Sequence, residues 1–306
     1  MNATPLITVT GGTGTIGSEL LMLLSAAGAD TRAIHRRASN ARHLPNVSWV
    51  VADLRDPAAL QVAIAGTTRL FLLTGNEPGF GETQIEVIRA AEQLGVQHIV
   101  KLSALGASDH SKSSIAREHW TAEQALVASG VPWTILRPHA FMQNWLDDVA
   151  GSVRDEGVIY APIADGRVPF IDTRDIAAVA AMVLLHPEEH VGKKYFLTGG
   201  EAVGYAEVAS ALSDATGRSV TYRSISMEEA RSRLTERGVS EPLIEAMLAI
   251  AAYQKAGGPT TTVSPNVERL LGRPPRTIRD FARDHATHFM TAPSAATTPH
   301  GLDSTN

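Results

Sequence analysis

A chain of 306 residues is long enough for one large α/β domain, or for one domain with a smaller lobe. Its formal net charge of −5 gives no electrostatic reason to expect nucleic acid or an anionic membrane as a partner, and we expect neither. The absence of cysteine excludes disulfides, thiolate metal sites and a catalytic thiol. The sequence lacks a signal-peptide pattern and any apolar run approaching the roughly 20 residues that span a bilayer, so we expect a cytoplasmic protein.

The first half of the chain alternates short apolar runs with helical patterns, which predicts a Rossmann-type, doubly wound parallel sheet. The expected strands span residues 6–10, 30–35, 47–52, 70–73, 98–102 and 133–136. The expected helices span residues 17–27, 84–94 and 114–129. The last two helices stop at glycines, which are common helix terminators.

The second half is less regular and predicts a small C-terminal α/β substrate lobe. Strands are expected at 158–162, 168–171 and 194–197, and helices at 175–185, 205–216 and 227–237. We expect residues 1–150 to form a NAD(P)-binding Rossmann domain to which later segments return, and residues 151–289 to form mainly the substrate lobe. Residues 290–306 are rich in alanine, threonine, serine and proline and are expected to be a disordered tail.

The strongest local motif is the glycine-rich run VTGGTGTIG at residues 9–17, between the first strand and the first helix. Gly11 allows a tight turn, Gly14 allows close approach of a pyrophosphate, and Gly17 allows the helix to pack on the strand. The expected cofactor contacts in this loop are Gly11, Thr13, Gly14, Thr15, Ile16 and Gly17. The alternative is a glycine-rich strand–helix turn without a ligand.

The residues after the second strand favour NADP over NAD. An NAD site places an acid about 20 residues beyond the glycine loop to bind the ribose 2′-hydroxyl. This sequence instead has Arg36 and Arg37, whose guanidinium groups suit a 2′-phosphate; the alternative is that both face solvent. Asp53 and Leu54, after the third strand, are expected at the adenine, although Asp53 could equally be a turn or N-cap residue.

Several motifs resemble the NmrA-like branch of the atypical short-chain dehydrogenase/reductases. They are the glycine loop, Ala-Asp-Leu at 52–54, IVKLS at 99–103, LRPHAFMQN at 136–144 and FIDTRDIA at 170–177. The resemblance covers roughly residues 6–289. It implies a Rossmann domain with a small C-terminal lobe and similarity to quinone-oxidoreductase-like members. The family also includes NADP-sensing regulators with little or no turnover.

The sequence departs from the superfamily at its catalytic pair. Ordinary members use Tyr-x-x-x-Lys, whereas none of the five tyrosines here is followed by lysine four residues later. When the pattern is anchored on Glu123, His119 falls at the lysine position and Ile115 at the tyrosine position. His119 could therefore contact the nicotinamide ribose or, with a pKa near neutral, donate a proton. The alternative is a helix pair between His119 and Glu123.

Other candidates follow the ends of expected strands. Thr74 and Gly75 follow the fourth strand and are expected beside the middle of the cofactor, and Ser103 and Ala104 follow the fifth and face the ligand crevice. Ser103 could instead bond local backbone.

The resemblance further implies that Phe141, Gln143 and Asn144 lie near the substrate, with core packing as the alternative for Phe141. Asp172 and Asp175 are expected to be structural, in a turn and helix cap that hold the C-terminal lobe. The H-x-x-E-H pattern at 186–190 contains Pro187 and is interpreted as a solvated turn, so we expect no metal site.

Three functions fit these observations. The first is an NAD(P)H-dependent oxidoreductase that transfers hydride to a quinone or another conjugated small molecule, where NADP is the expected cofactor and NAD the less favoured one. The second is a non-catalytic NADP-sensing regulatory protein, which the missing tyrosine–lysine pair suggests. The third is a specialised biosynthetic imine or enone reductase. A homodimer is compatible with an open Rossmann sheet, and nothing in the sequence selects a particular interface.

Overall fold

The computed structural model describes residues 5–36 and 42–290. The chain contains a seven-stranded sheet and a separate two-stranded sheet in these residues. The strands are β1 (Ile7–Val9), β2 (Thr31–His35), β3 (Val47–Val51), β4 (Arg69–Leu72), β5 (His98–Leu102), β6 (Trp133–Pro138), β7 (Val158–Ala161), β8 (Lys193–Leu197) and β9 (Thr221–Ser224). The large sheet has the order β3-β2-β1-β4-β5-β6-β8, and the two-stranded sheet pairs β7 with β9.

Every neighbouring pair in the large sheet is parallel. The strand order runs outwards in one direction from β1 and in the other from β4, so the topological switch point lies between these two strands. The predicted doubly wound parallel sheet is therefore confirmed.

Twelve α-helices accompany the strands within the described residues. They are α1 (Thr15–Ala26), α2 (Pro57–Ile64), α3 (Phe80–Gln93), α4 (Ser114–Ala128), α5 (Asn144–Asp148), α6 (Ala150–Glu156), α7 (Thr173–Leu185), α8 (Tyr205–Thr216), α9 (Met227–Glu236), α10 (Glu241–Ala256), α11 (Asn266–Leu271) and α12 (Ile278–Asp284). In the part of the chain that is described, none of them is long and apolar enough to cross a membrane.

Three hydrophobic cores divide the molecule. Helices α1, α7 and α11 contribute to the core on one face of the large sheet, and α2, α3 and α4 contribute to the core on the other. The third core joins α5, α6, α8 and α12 to β7, and its centre is Trp145, whose ring lies 4.8 Å from Phe170 and 5.3 Å from Phe281. The C-terminal half thus has a core of its own, while α7, β8 and α11 return to the Rossmann sheet.

The two aspartates of the FIDTRDIA motif are structural, as expected. Asp172 caps the start of α7 by accepting a hydrogen bond from the Arg174 N–H at 2.9 Å. Asp175 is fully buried and accepts hydrogen bonds from the side chains of Arg273 and Arg276. These contacts tie α7 to the segment between α11 and α12.

One local interpretation of the sequence is wrong, and another holds only in part. Residues 168–171 do not form a strand, because Pro169 offers no N–H; Val168 and Ile171 make only isolated bridges to Val203 and Phe141. The H-x-x-E-H segment contains a short 3₁₀ helix, Pro187–Glu189, and is only partly solvated. His190 is buried there, with Nδ1 2.9 Å from the Tyr195 hydroxyl. The expected tail lies outside the described residues, except for Met290.

Gly17 sets how closely α1 approaches the glycine loop. A Cβ at position 17 would lie 2.2 Å from the Gly11 carbonyl oxygen and 2.9 Å from Gly12 Cα, both of which are backbone atoms. A Cβ at Gly14 would meet only the Gly11 oxygen, at 3.4 Å. The two glycines therefore serve different purposes, namely packing at 17 and an open surface at 14.

We expect Gly17→Ala to lower the free energy of unfolding by about 1–3 kcal/mol, because the added methyl group overpacks against backbone. Gly151→Ala in α6, where a Cβ would meet no atom within 4 Å, is the matched control and should leave stability unchanged or raise it by up to about 1 kcal/mol. Urea denaturation measures both. Equal stability of the two variants would contradict the packing role of Gly17.

Candidate functional site

A large cleft opens at the carboxyl edge of the sheet, where the switch point of the strand order predicts a ligand site. Its volume is about 1550 Å³, and it continues between the Rossmann sheet and the C-terminal lobe. Residues following or ending six neighbouring strands line it: Gly11, Arg36, Ala52, Leu73, Ser103 and Pro138. The far wall comes from α5, α8, α10 and the segment between α10 and α11.

The glycine loop presents the N-terminus of α1 to this cleft. Gly11 has φ +66°, and its carbonyl accepts a hydrogen bond from the Gly14 N–H at 3.0 Å. Gly14 is the N-cap residue, no side chain caps the helix, and no acid occupies the first turn. Thr13, Gly14, Thr15 and Ile16 line the cleft. Open backbone N–H groups at the positive end of a helix fit a pyrophosphate.

Two ion pairs stand at the end of the cleft where a 2′-phosphate was predicted. Arg36 donates hydrogen bonds to both carboxylate oxygens of Glu77, at 2.6 and 2.9 Å. Arg55 binds both oxygens of Asp53, and these hydrogen bonds lower the pKa of Asp53 to about 2. All four side chains line the cleft, and Arg37 lies outside the described residues.

Asp53 is a turn residue in this structure. Its Oδ1 also accepts the Arg55 N–H at 3.0 Å, while the N-cap of α2 is Asp56. Leu54 lines the cleft beside it, and its contact with adenine stays a prediction. Sequence reasoning missed Arg55 and Glu77. The turn at 53–55 is a local signal that could have indicated Arg55, but no sequence signal joins Glu77 to an arginine 41 positions away.

Thr74, Gly75, Ser103 and Ala104 all line the cleft, and their contact with a cofactor stays a prediction. The Thr74 hydroxyl accepts a hydrogen bond from Gln84 at 2.8 Å, which fixes its position. Gly75 is exposed, and a Cβ there would meet no atom within 4 Å. The Ser103 hydroxyl points away from local backbone and donates to Glu123 at 2.5 Å.

Glu123 is the hub of a buried charge cluster on α4, β5, β6 and β8. Its carboxylate accepts two hydrogen bonds from Arg137, at 2.6 and 2.8 Å, and one from Lys194 at 3.2 Å, besides that from Ser103. Burial alone would raise the pKa of Glu123, but these hydrogen bonds and the two cations lower it below its ordinary value. Glu123 is therefore ionised and fully engaged.

His119 does not pair with Glu123, so the helix pair that the spacing left open is wrong. Its Nδ1 lies 3.3 Å from the Nζ of Lys101 on β5, and its ring contacts the edge of Phe80 at 4.8 Å between centroids. His119 lines the cleft but is only 6% exposed. Burial and the charges of Lys101 and Arg137 hold the pKa of His119 well below its ordinary value. The near-neutral pKa expected from the sequence is therefore wrong.

The three expected substrate residues separate in the structure. Phe141 is half-buried and combines both interpretations, since it packs on the Rossmann core and also lines the cleft. Asn144 is exposed at the start of α5 and lines the cleft. Gln143 is buried and does not line it, because its amide donates to Asp172 at 2.8 Å and accepts the Thr173 N–H at 2.9 Å. Gln143 therefore holds the junction of the two lobes.

Most of the apolar wall was not expected from the sequence. Trp145, Phe170 and Tyr205 line the cleft from the C-terminal lobe, and α10 adds Met247, Ile250, Ala251 and Tyr253. The segment after α10 is tied to the Rossmann domain by His139, whose Nε2 donates to the Thr260 carbonyl at 2.9 Å. Burial lowers the pKa of His139 to about 4, so the imidazole is neutral in that contact at physiological pH.

Within residues 5–36 and 42–290, no group of three or more histidine and acidic side chains could hold a metal ion. The polar side chains of the cleft instead include arginines, hydroxyls, the carboxylates of Asp53, Glu77 and Asp148, and the buried imidazoles of His35, His119 and His139. This arrangement can bind a dinucleotide along the carboxyl edge of the sheet and a flat apolar molecule between the two lobes.

Comparisons with known proteins agree with this geometry. The model of the NmrA-like family matches residues 3–282. An NAD(P)H azoreductase of Xenophilus azovorans is 39% identical over 94% of this chain and 100% of its own length. Quinone oxidoreductase 2 of Escherichia coli is 30% identical over 90% of this chain and 96% of its own length. The crystal structure of the Escherichia coli NADPH-dependent quinone oxidoreductase with NADPH superposes with a TM-score of 0.81, at 29% identity, covering 91% of this chain and 99% of that one.

We expect Glu123→Gln to lower the free energy of unfolding at neutral pH by about 3–5 kcal/mol, because it leaves buried cations without a counter-charge. The folded-state pKa of Glu123 is lowered, so its contribution is present above its ordinary value of 4.5 and is lost as the pH falls through the folded-state value. The difference between parent and variant should therefore shrink in acid.

Urea denaturation at neutral and acidic pH measures this effect. Glu86→Gln is the matched control, since it breaks the exposed pair with Arg89 and should cost no more than about 1 kcal/mol. A Glu123 variant as stable as this control would show that the cluster contributes nothing.

Proposed function

The chain belongs to the NmrA-like family, and on that premise we propose that it is an NADPH-dependent oxidoreductase that transfers hydride to a quinone or another conjugated, electron-poor small molecule. The observation that carries the proposal is the continuity of one cleft, which runs from the uncapped N-terminus of α1 to an aromatic wall on the C-terminal lobe. A dinucleotide needs the first feature, and a conjugated acceptor suits the second.

The donor set of the cleft fits NADPH along its length. In this proposal the pyrophosphate lies at Gly11–Gly14 and the first turn of α1, the adenine beside Asp53 and Leu54, and the 2′-phosphate at Arg36 with Arg55 as a neighbouring cation. The middle of the dinucleotide passes Thr74 and Gly75, and the nicotinamide end reaches Ser103, Ala104 and His119. When bound, the cofactor supplies the hydride, and the chain supplies position and exclusion of water.

The substrate would occupy the part of the cleft that residues 151–289 largely enclose, together with Phe141, Asn144 and Trp145. Aromatic and aliphatic side chains dominate this wall, so binding favours a flat molecule through apolar burial and edge or face contacts. An electron-poor conjugated acceptor takes hydride directly, which is consistent with a chain that lacks Tyr-x-x-x-Lys. His119 is then the nearest candidate for a group that meets the reacting atoms.

We expect Arg36→Ala to weaken NADPH binding at least about tenfold while leaving NADH nearly unchanged, because it removes a charge-assisted contact to the 2′-phosphate. Glu77→Gln should act in the opposite direction and strengthen NADPH binding, since the carboxylate competes with that phosphate for Arg36. Isothermal titration with each dinucleotide measures both effects. Arg89→Ala, at another exposed ion pair, is the control. Equal losses for NADPH and NADH in Arg36→Ala would reject the 2′-phosphate site.

The purified chain should oxidise NADPH in the presence of a quinone or azo acceptor, followed as loss of reduced-nicotinamide absorbance. A panel of both acceptor types, with NADPH and NADH in parallel, tests the reaction and the cofactor preference together. Tight NADPH binding without turnover on any acceptor would contradict the reductase and favour the NADP-sensing alternative.

A further inference from the structure

Lys101 is a buried cation without a direct carboxylate partner among the described residues. It lies on β5 with no exposed surface, and its Nζ donates to the Leu102 carbonyl at 3.1 Å. Both oxygens of the nearby Glu123 are already taken by Arg137, Ser103 and Lys194. Burial of an ammonium group costs desolvation free energy, and packing of the core does not require a charged group at this position.

His119 connects this lysine to the cleft. Its Nδ1 faces Lys101. Its Nε2 has no hydrogen-bond partner among the described residues, and this atom is not fully buried. Since His119 lines the cleft, Nε2 is the atom through which it reaches that space. An ammonium that donates to Nδ1 requires the lone pair there, which puts the imidazole proton on Nε2.

We propose that Lys101 is a positioning residue that acts through His119: it holds the imidazole as the Nε2–H tautomer and passes a proton to Nδ1 when Nε2 gives its own to the acceptor. This inference rests on the proposed function, because a reduction by hydride needs one further proton to be complete.

The surrounding charges suit this exchange near neutral pH. Burial lowers the pKa of Lys101 to about 7. The charge of Arg137 on β6 lowers it as well, whereas the charge of Glu123 on α4 raises it. Burial, Lys101 and Arg137 hold the pKa of His119 far lower, so the imidazole is neutral at pH 7. Lys194 on β8 faces Glu123. The transferable proton therefore resides on Lys101.

The proton balance is simple. The acceptor gains two electrons and one hydrogen from the hydride of NADPH, which is oxidised to NADP⁺. The Nε2–H bond of His119 breaks as the acceptor's oxygen or nitrogen takes that proton, and a new bond forms between Nδ1 and a proton from Lys101, which becomes a neutral amine. After product release, water in the cleft returns a proton to Nε2, and Nδ1 returns its proton to Lys101.

Nitrogen-15 NMR of the full-length chain, labelled at histidine, tests this without any turnover. His119→Gln assigns the His119 signals. We expect a neutral Nε2–H tautomer whose Nδ1 shift moves between about pH 6 and pH 8 as Lys101 titrates. Lys101→Met, which keeps the length and removes the charge, should abolish that movement, while Lys194→Met should preserve it. An Nδ1–H tautomer, or no movement in the parent chain, would overturn the proposal even if Lys101→Met did not fold.

The pH profile of kcat for NADPH oxidation by a quinone gives a second readout. In the parent chain kcat should fall above about pH 7 as Lys101 loses its proton. In Lys101→Met it should be at least about tenfold lower and flat over this range, with the Kd for NADPH unchanged. An unaltered profile in Lys101→Met would refute the relay. Absence of turnover in every chain would reject the proposed function instead, and the NMR titration would still decide the role of Lys101.

Discussion

The approach of α1 to the glycine loop is the constraint on which the cleft depends. The helix can begin at Thr15 and lie against the loop because Gly17 has no side chain, and the turn that brings it there uses a positive φ at Gly11. Without that contact the N-terminus of α1 would not face the switch point between β1 and β4. The strand order then determines the rest, since all seven parallel strands end at the same edge and deliver their following residues to one space.

A second constraint lies deeper, in the cluster around Glu123. One carboxylate joins α4 to β5, β6 and β8 through Ser103, Arg137 and Lys194. Because both oxygens of Glu123 are occupied, neither Lys101 nor His119 has Glu123 as a direct partner. Lys101 and His119 instead contact each other, through Nζ and Nδ1. When the superfamily pattern is anchored on Glu123, the lysine position falls on His119, whose ring has Lys101 of β5 beside its Nδ1.

Local patterns located the strands of the Rossmann half to within one or two residues, and the glycine spacing located the loop at the N-terminus of α1. Helix α2 was not expected, and α3 begins four residues before its expected start. The expected strand at 168–171 failed because Pro169 breaks the hydrogen-bond ladder, and α10 was missed because its apolar residues are spread around the helix instead of marking one face. The Arg36–Glu77 pair and the low pKa of His119 depend on tertiary proximity and burial, for which a single sequence has no signal. The resemblance placed Gln143 near the substrate, but its side chain holds the lobe junction.

The ion pair at the mouth of the cleft also bears on molecular discrimination. Arg36 is already paired with the carboxylate of Glu77. A bound anion therefore gains only the difference in free energy between its own contact with Arg36 and the contact that it displaces. A small phosphate ester that reaches the mouth alone would recover little of that exchange. A ligand that also extends to the N-terminus of α1 gains a second contact while displacing only the same carboxylate, that of Glu77. Glu77 is therefore an internal competitor for Arg36, and a ligand with a second contact overcomes this competition more readily than a small anion does.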